Sequence, residues 1–104
     1  MPKSSRLPKI TDMHDWTLVN VSMIWHLGRV TVELRDLASS IRTLVAEGVR
    51  ELRVSRIHEW GPSVSVNTVS PLEVLPVGAQ RLKVEMQSGD VIEIVADQFD
   101  IPIT

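Results

Sequence analysis

The sequence predicts an all-β domain, an antiparallel sandwich or partly open barrel of six to eight short strands. Two observations carry this. The first is period-two alternation: Val30, Val32 and Leu34 interleave with Arg29, Thr31, Glu33 and Arg35, and Leu82, Val84 and Met86 with Arg81, Lys83, Glu85 and Gln87. Such a pattern gives a strand one dry face and one wet face. The second is punctuation: Gly28, Gly61-Pro62, Pro71, Pro76, Gly78 and Gly89 separate the alternating runs.

Residues 1–12, with two prolines, two serines and three basic residues, read as a flexible lead-in to a single domain over 13–104. His14-Asp15-Trp16 opens that domain. Val19, Val21, Met23 and Trp25 alternate with Asn20 and Ser22, and Gly28 interrupts before Val30. A turn over Leu27-Gly28, or over residues 26–29, sets Trp25 against Val30 and Met23 against Val32. Both lengths bring the same apolar face together.

Residues 39–48 are ambiguous. Ile41, Leu44 and Val45 have helical spacing with a serine N-cap and Gly48 as a stop, allowing one short helix near 39–47. The strand reading is preferred because the neighbouring segments are so β-branched. In that reading Glu47-Gly48 turns or bulges, and a turn there sets Thr43 against Leu52 and Ile41 against Val54. Ser63 to Val69 alternates again, and Pro71 to Gly78 reads as irregular or edge, because proline cannot donate a ladder hydrogen bond. Gln87-Ser88-Gly89 fits a three-residue loop with Gly89 left-handed. That loop pairs Met86 with Asp90, Val84 with Ile92 and Leu82 with Ile94, and brings Lys83 beside Glu93. Phe99 to Ile103 continues the alternation as an edge strand guarded by Pro102.

A chain of 104 residues, 43% hydrophobic and 23% charged, has the composition of an ordinary globular domain. With no cysteine there are no disulfides, no thiol chemistry and no thiolate metal sites. No apolar run approaches a membrane span and no secretory signal is visible, so a cytoplasmic setting without membrane attachment is the expectation. A net charge of −2 gives no footprint for nucleic acid. Charge is nonetheless uneven: six arginines fall between Arg29 and Arg56, and nothing basic follows Lys83. Either these are solvated sheet faces or they form a complementary contact surface.

No catalytic motif emerges, and no enzymatic activity or cofactor is expected. Two dipeptides, His14-Asp15 and His58-Glu59, offer imidazoles and carboxylates for a metal or an acid–base pair, but their spacing matches no zinc signature. Ser63, Ser65 and Asn67 form a polar row without a nucleophile elbow. Arg50, Arg53 and Arg56 do not share one face. Trp60, before Gly61-Pro62, is either a core cap or an exposed anchor for a partner. The scarcity of aromatics places Trp16 and Trp25 in the core. The late acidic residues Asp90, Asp97 and Asp100 complete the candidate contact set with Trp60.

Three phrases, His14-Asp15-Trp16, residues 59–67 (EWGPSVSVN) and residues 85–90 (EMQSGD), resemble those of small single-domain bacterial proteins of unassigned function. Some bacterial immunity proteins of polymorphic toxin systems are similar in beginning near a His-Asp pair and continuing β-rich. The resemblance implies a bacterial cytoplasmic protein. The leading expectation is a non-catalytic protein-binding module, immunity-like in kind. The alternatives are a metal- or ligand-binding protein using His14, His58 and a carboxylate, and a self-associating subunit such as a homodimer.

Overall fold

The computed structural model describes residues 13–57 and 65–102. Seven strands form one antiparallel sheet: β1 (Thr17–Ile24), β2 (Arg29–Arg35), β3 (Ile41–Val54), β4 (Val66–Val69), β5 (Glu73–Val74), β6 (Gln80–Met86) and β7 (Val91–Asp100). Their order is β1-β2-β3-β7-β6-β4, and β5 also pairs with β6. The expected all-β class is what the chain adopts.

One bend shapes the molecule. Along β3, Leu44 and Ala46 are buried, Glu47 and Gly48 are both exposed, and Val49 and Leu52 pack on the core. Along β7, Ala96 is buried, Asp97 and Gln98 are both exposed, and Phe99 packs on the core. Glu47 lies opposite Gln98, so both strands change phase at the same level. Strands that bend this way carry a sheet around a corner. Trp16, Val32, Leu34 and Leu44 thus meet Val66, Leu82, Val84 and Ile94 in one core. Full burial of each aliphatic side chain contributes about 1.5–3 kcal/mol. The ends of the strand order touch at one corner, through a Thr17–Ser65 bridge, Asp15 N–H to the Val66 carbonyl (2.8 Å) and Val66 N–H to the Trp16 carbonyl (2.8 Å). The rest of β1 and β4 is not paired together, so the sheet curls without closing into a barrel.

The β6–β7 hairpin has the register expected from the sequence, with Leu82 opposite Ile94 and Val84 opposite Ile92. Met86 N–H donates to the Asp90 carbonyl at 2.8 Å, and Gly89 has φ 98°. The β2–β3 loop repeats the device. Asp36 N–H donates to the Ser40 carbonyl at 2.9 Å, and the left-handed position is Ser39, φ 66°. Asp36 Oδ1 accepts the N–H groups of Ala38 and Ser40, each at 2.9 Å. The Ser40 N–H is the main reason its carboxyl lies below the usual range; desolvation opposes the shift and Arg42 assists it. Arg42 Nη1 reaches Asp36 Oδ2 at 3.3 Å and its guanidinium lies 5.6 Å from the centre of the Trp16 ring, covering it. Ser39 carries a side chain where glycine is at ease. Ser39→Gly is therefore expected to stabilise the domain by about 0.5–1 kcal/mol, because relief of left-handed strain exceeds the added unfolded-state entropy. A urea midpoint at or below wild type would contradict this.

Several expectations change. The β1–β2 register sets Met23, not Trp25, against Val30, and Val21 against Val32. The turn has four residues, one of the two expected lengths, but it lies one residue earlier, over 25–28, where a 3-10 turn at Trp25–Leu27 and left-handed Gly28 occupy it. Trp25 is consequently 83% exposed rather than in the core, whereas Trp16 is 3% exposed as expected. A bulge at Val19 turns that side chain outward and lets Leu18 meet Leu34. Residues 41–54 are one strand, not a hairpin about Glu47-Gly48, because β3 pairs β2 with its first half and β7 with its second. The phase change lets one strand serve both halves of the sheet. The C-terminal run is not a new edge strand; through Asp100 it belongs to β7, inside the sheet. Residues 1–12, His58, Glu59 and Trp60 lie outside the described residues.

Candidate partner-binding surface

The outward faces of β2, β3 and β7 enclose an open depression of about 640 Å³, lined by Arg29, Thr31, Thr43, Val45, Glu47, Gln98, Phe99 and Asp100. Side-chain length produces it. Thr31 and Val45 are opposite each other, Val45 is opposite Asp100, and the longer Arg29, Glu47 and Gln98 stand at one end. Arg29 Nε donates to Glu47 Oε2 at 3.1 Å, fixing that end of the rim.

The β1–β2 tip rises beside Arg29, which is opposite Ile24. Ile24 is 43%, Trp25 83% and Leu27 51% exposed. The tip is held by its backbone: Gly28 N–H donates to the Trp25 carbonyl at 3.0 Å, and Val49 N–H to the Gly28 carbonyl at 2.9 Å. A rigid tip presents Trp25 at low entropic cost, and a large exposed aromatic is the residue type that most often dominates a contact. The sequence holds this signal in Ile24-Trp25-His26-Leu27 before Gly28, but a one-residue shift of the turn is enough to hide it.

The expected contact residues separate. Asp100 is exposed and lines the depression. Asp97 is exposed beside it and accepts from Arg50 Nε at 2.9 Å. Asp90 is the correction: it is only 6% exposed and its carboxylate faces inward, accepting Ile57 N–H (3.0 Å) and Ser88 Oγ (3.0 Å). It has no surface to offer a partner.

The acid–base and metal candidates also resolve in part. His14 Nδ1 hydrogen-bonds to the Asn67 carbonyl, and Nε2 lies 3.5 Å from Asp15 Oδ1. Gln87 Nε2 donates to Asp15 Oδ1, and Gln87 N–H to the Ser65 carbonyl at 2.8 Å. His14, Asp15, Ser65 and Asn67 therefore tie the corner where β1 meets β4. Among the described residues no three histidine or acidic side chains gather around a metal position. Ser63 lies outside the described residues.

The uneven charges largely meet within the sheet. Arg50 Nη2 lies 2.9 Å from Asp97 Oδ1 across the β3–β7 ladder. Arg53 Nε donates to Glu51 Oε2 at 2.8 Å, and that bond together with Glu51 and Glu93 charges raises the Arg53 pKa. Lys83 lies opposite Glu93 as expected, and Glu93 also meets Arg81 (Nε–Oε2 2.9 Å). That approach is ionic only: the Nε–H makes no hydrogen bond, while Arg81 Nη1 donates to Glu73 Oε1 at 3.1 Å. No helix among the described residues is long and apolar enough to cross a membrane. No family model, curated protein or solved structure matches this chain.

Proposed function

We propose that the protein is a non-catalytic protein-binding module, immunity-like in kind and acting in a bacterial cytoplasm. Its contact surface is the Trp25 tip together with the depression beside it. The partner presents an apolar pocket to Trp25 and a basic side chain to Asp100. The observation that carries this is the exposure of Trp25, 83%, on a tip with hydrogen bonds at its base. Charge sets the chemistry of the rest. Arg29 is bonded to Glu47, which leaves Asp100 as the carboxylate in the depression facing Val45 and the two threonines. A cation seated there meets one negative charge and two hydroxyls.

The test compares wild type with Trp25→Ala and Asp100→Lys in quantitative capture of a co-purifying protein. Trp25→Ala is expected to weaken retention of that protein by about 2 kcal/mol, roughly 30-fold, with little change in Tm. Asp100→Lys is expected to weaken it further at low salt than at high salt. A partner held equally by all three proteins overturns the assignment of this surface.

A further inference from the structure

Beyond that reading, we propose that the outer edge of β1 is a self-pairing surface, through which two copies join antiparallel about a two-fold axis at Ser22. The two edges of the sheet are treated differently. The β4–β5 edge is short and broken, four and two residues, with Pro71 and Pro76 flanking β5. β1 spans eight residues, TLVNVSMI, with no charge and no proline, and past the Thr17–Ser65 bridge no strand among the described residues pairs with its outer side. Charges and prolines are the usual means of blocking pairing at an edge, and β1 has neither. Among the described residues, four of the ten exposed large hydrophobic side chains, Val19, Ile24, Trp25 and Leu27, lie on β1 or its tip.

Register follows from three constraints. The bulge at Val19 leaves Asn20 to Ile24 as the regular stretch, and Ser22 is its middle. Pairing about Ser22 sets Val21 against the second copy's Met23, and Asn20 against its Ile24. Val21 and Met23 are half-buried on the core face, whereas Asn20 and Ile24 are exposed, so each face meets its own kind. A one-residue slip would set core-facing side chains against solvent-facing ones. The same register brings the Trp25 tip of one copy alongside the exposed Val19 of the other. Burial fixes the orientation. Joining the same edge of two copies antiparallel keeps both core faces on one side of the combined sheet, where parallel pairing would turn one copy over and set Val21 and Met23 beside solvent-facing side chains.

Ser22 is exposed, so a charge there is compatible with the fold and meets its own copy at the axis. Sedimentation equilibrium of wild type, Ser22→Lys and Ser22→Glu, each alone, and of the two variants mixed, tests the proposal. Wild type is expected to dimerise. Each variant alone is expected to self-associate more weakly by on the order of 100-fold, because like charges at a contact cost several kcal/mol. The equimolar mixture is expected to form a heterodimer. A wild type that stays monomeric to millimolar concentration overturns the proposal. So does a variant that dimerises like wild type, or a mixture that remains monomeric.

Discussion

Gly48→Ala is expected to destabilise the domain by about 3 kcal/mol and to lower Tm by about 10–20 °C. Two costs combine. Gly48 has φ +64°, where a Cβ strains the backbone by about 1–2 kcal/mol. A Cβ built there would also sit 2.5 Å from Asp97 Oδ2 and 2.9 Å from Asp97 Cβ. The carboxylate can swing away, but the Asp97 Cβ is fixed by the β7 backbone, so the strands must part. Gly28→Ala separates the two costs. Gly28 has nearly the same φ, +61°, but its nearest neighbour would be Val49 N at an ordinary 3.6 Å. It should lose the strain alone, about 1–2 kcal/mol. Equal losses in urea unfolding for the two variants would remove the contact with Asp97 from the explanation. Asp97→Gly in the Gly48→Ala background should restore part of the loss.

The same position shows why some of the fold was legible and some was not. Alternation identifies strands and fixes register wherever a tight turn joins them, as with Leu82 and Ile94 about Gly89. The all-β class and the β6–β7 hairpin follow from that alone. Gly48 is also legible as special, but its consequence depends on the partner strand. A glycine after an acidic residue reads as a hairpin turn when only neighbours in sequence are weighed. The structure uses it to bend β3 while Asp97, far along the chain, bends with it. Long-range pairing of β3 with β7 leaves no local mark.

The candidate surface is hidden in the sequence for a similar reason. Trp25 follows the alternation of Val21 and Met23, which predicts burial. The 3-10 turn removes it from the strand and from the core, and no composition rule records where a turn begins within two residues. Asp90 fails in the opposite direction. Its place after Gly89 in an acidic tail suggests solvent, yet the hairpin it closes is folded against the end of β3. Asp97 and Asp100 keep the exposure that their charge implies. The basic middle and acidic end, which read either as solvated sheet faces or as a contact surface, owe much of their pattern to adjacency of β3 and β7, as Arg50 and Asp97 show.

Asp90→Ala is expected to cost about 3 kcal/mol, far more than the truncation of any exposed acidic side chain here. One carboxylate ties the residues after β3 to the β6–β7 hairpin. Oδ1 accepts the Ile57 N–H at 3.0 Å and the Ser55 hydroxyl at 3.3 Å, both beyond the end of β3, and Oδ2 accepts the Ser88 hydroxyl at 3.0 Å in the hairpin loop. Ser55 Oγ in turn accepts Val91 N–H at 2.9 Å. Alanine leaves the Ile57 amide and two hydroxyls without this part-buried acceptor, and hydrogen bonds to a charged acceptor contribute about 1.5–3 kcal/mol. Asp97→Ala is the comparison: its ion pair with Arg50 is half exposed, so its loss should stay within about 1 kcal/mol. Asp90→Asn keeps one carbonyl oxygen and should fall between them. Amide exchange locates the effect, since the Ile57 N–H should lose protection in Asp90→Ala while Leu82 and Ile94, in the centre of the sheet, exchange at a rate set by global stability. If Asp90→Ala unfolds at the same urea concentration as Asp97→Ala, or if Ile57 keeps its protection, then Asp90 does not fasten the hairpin to β3.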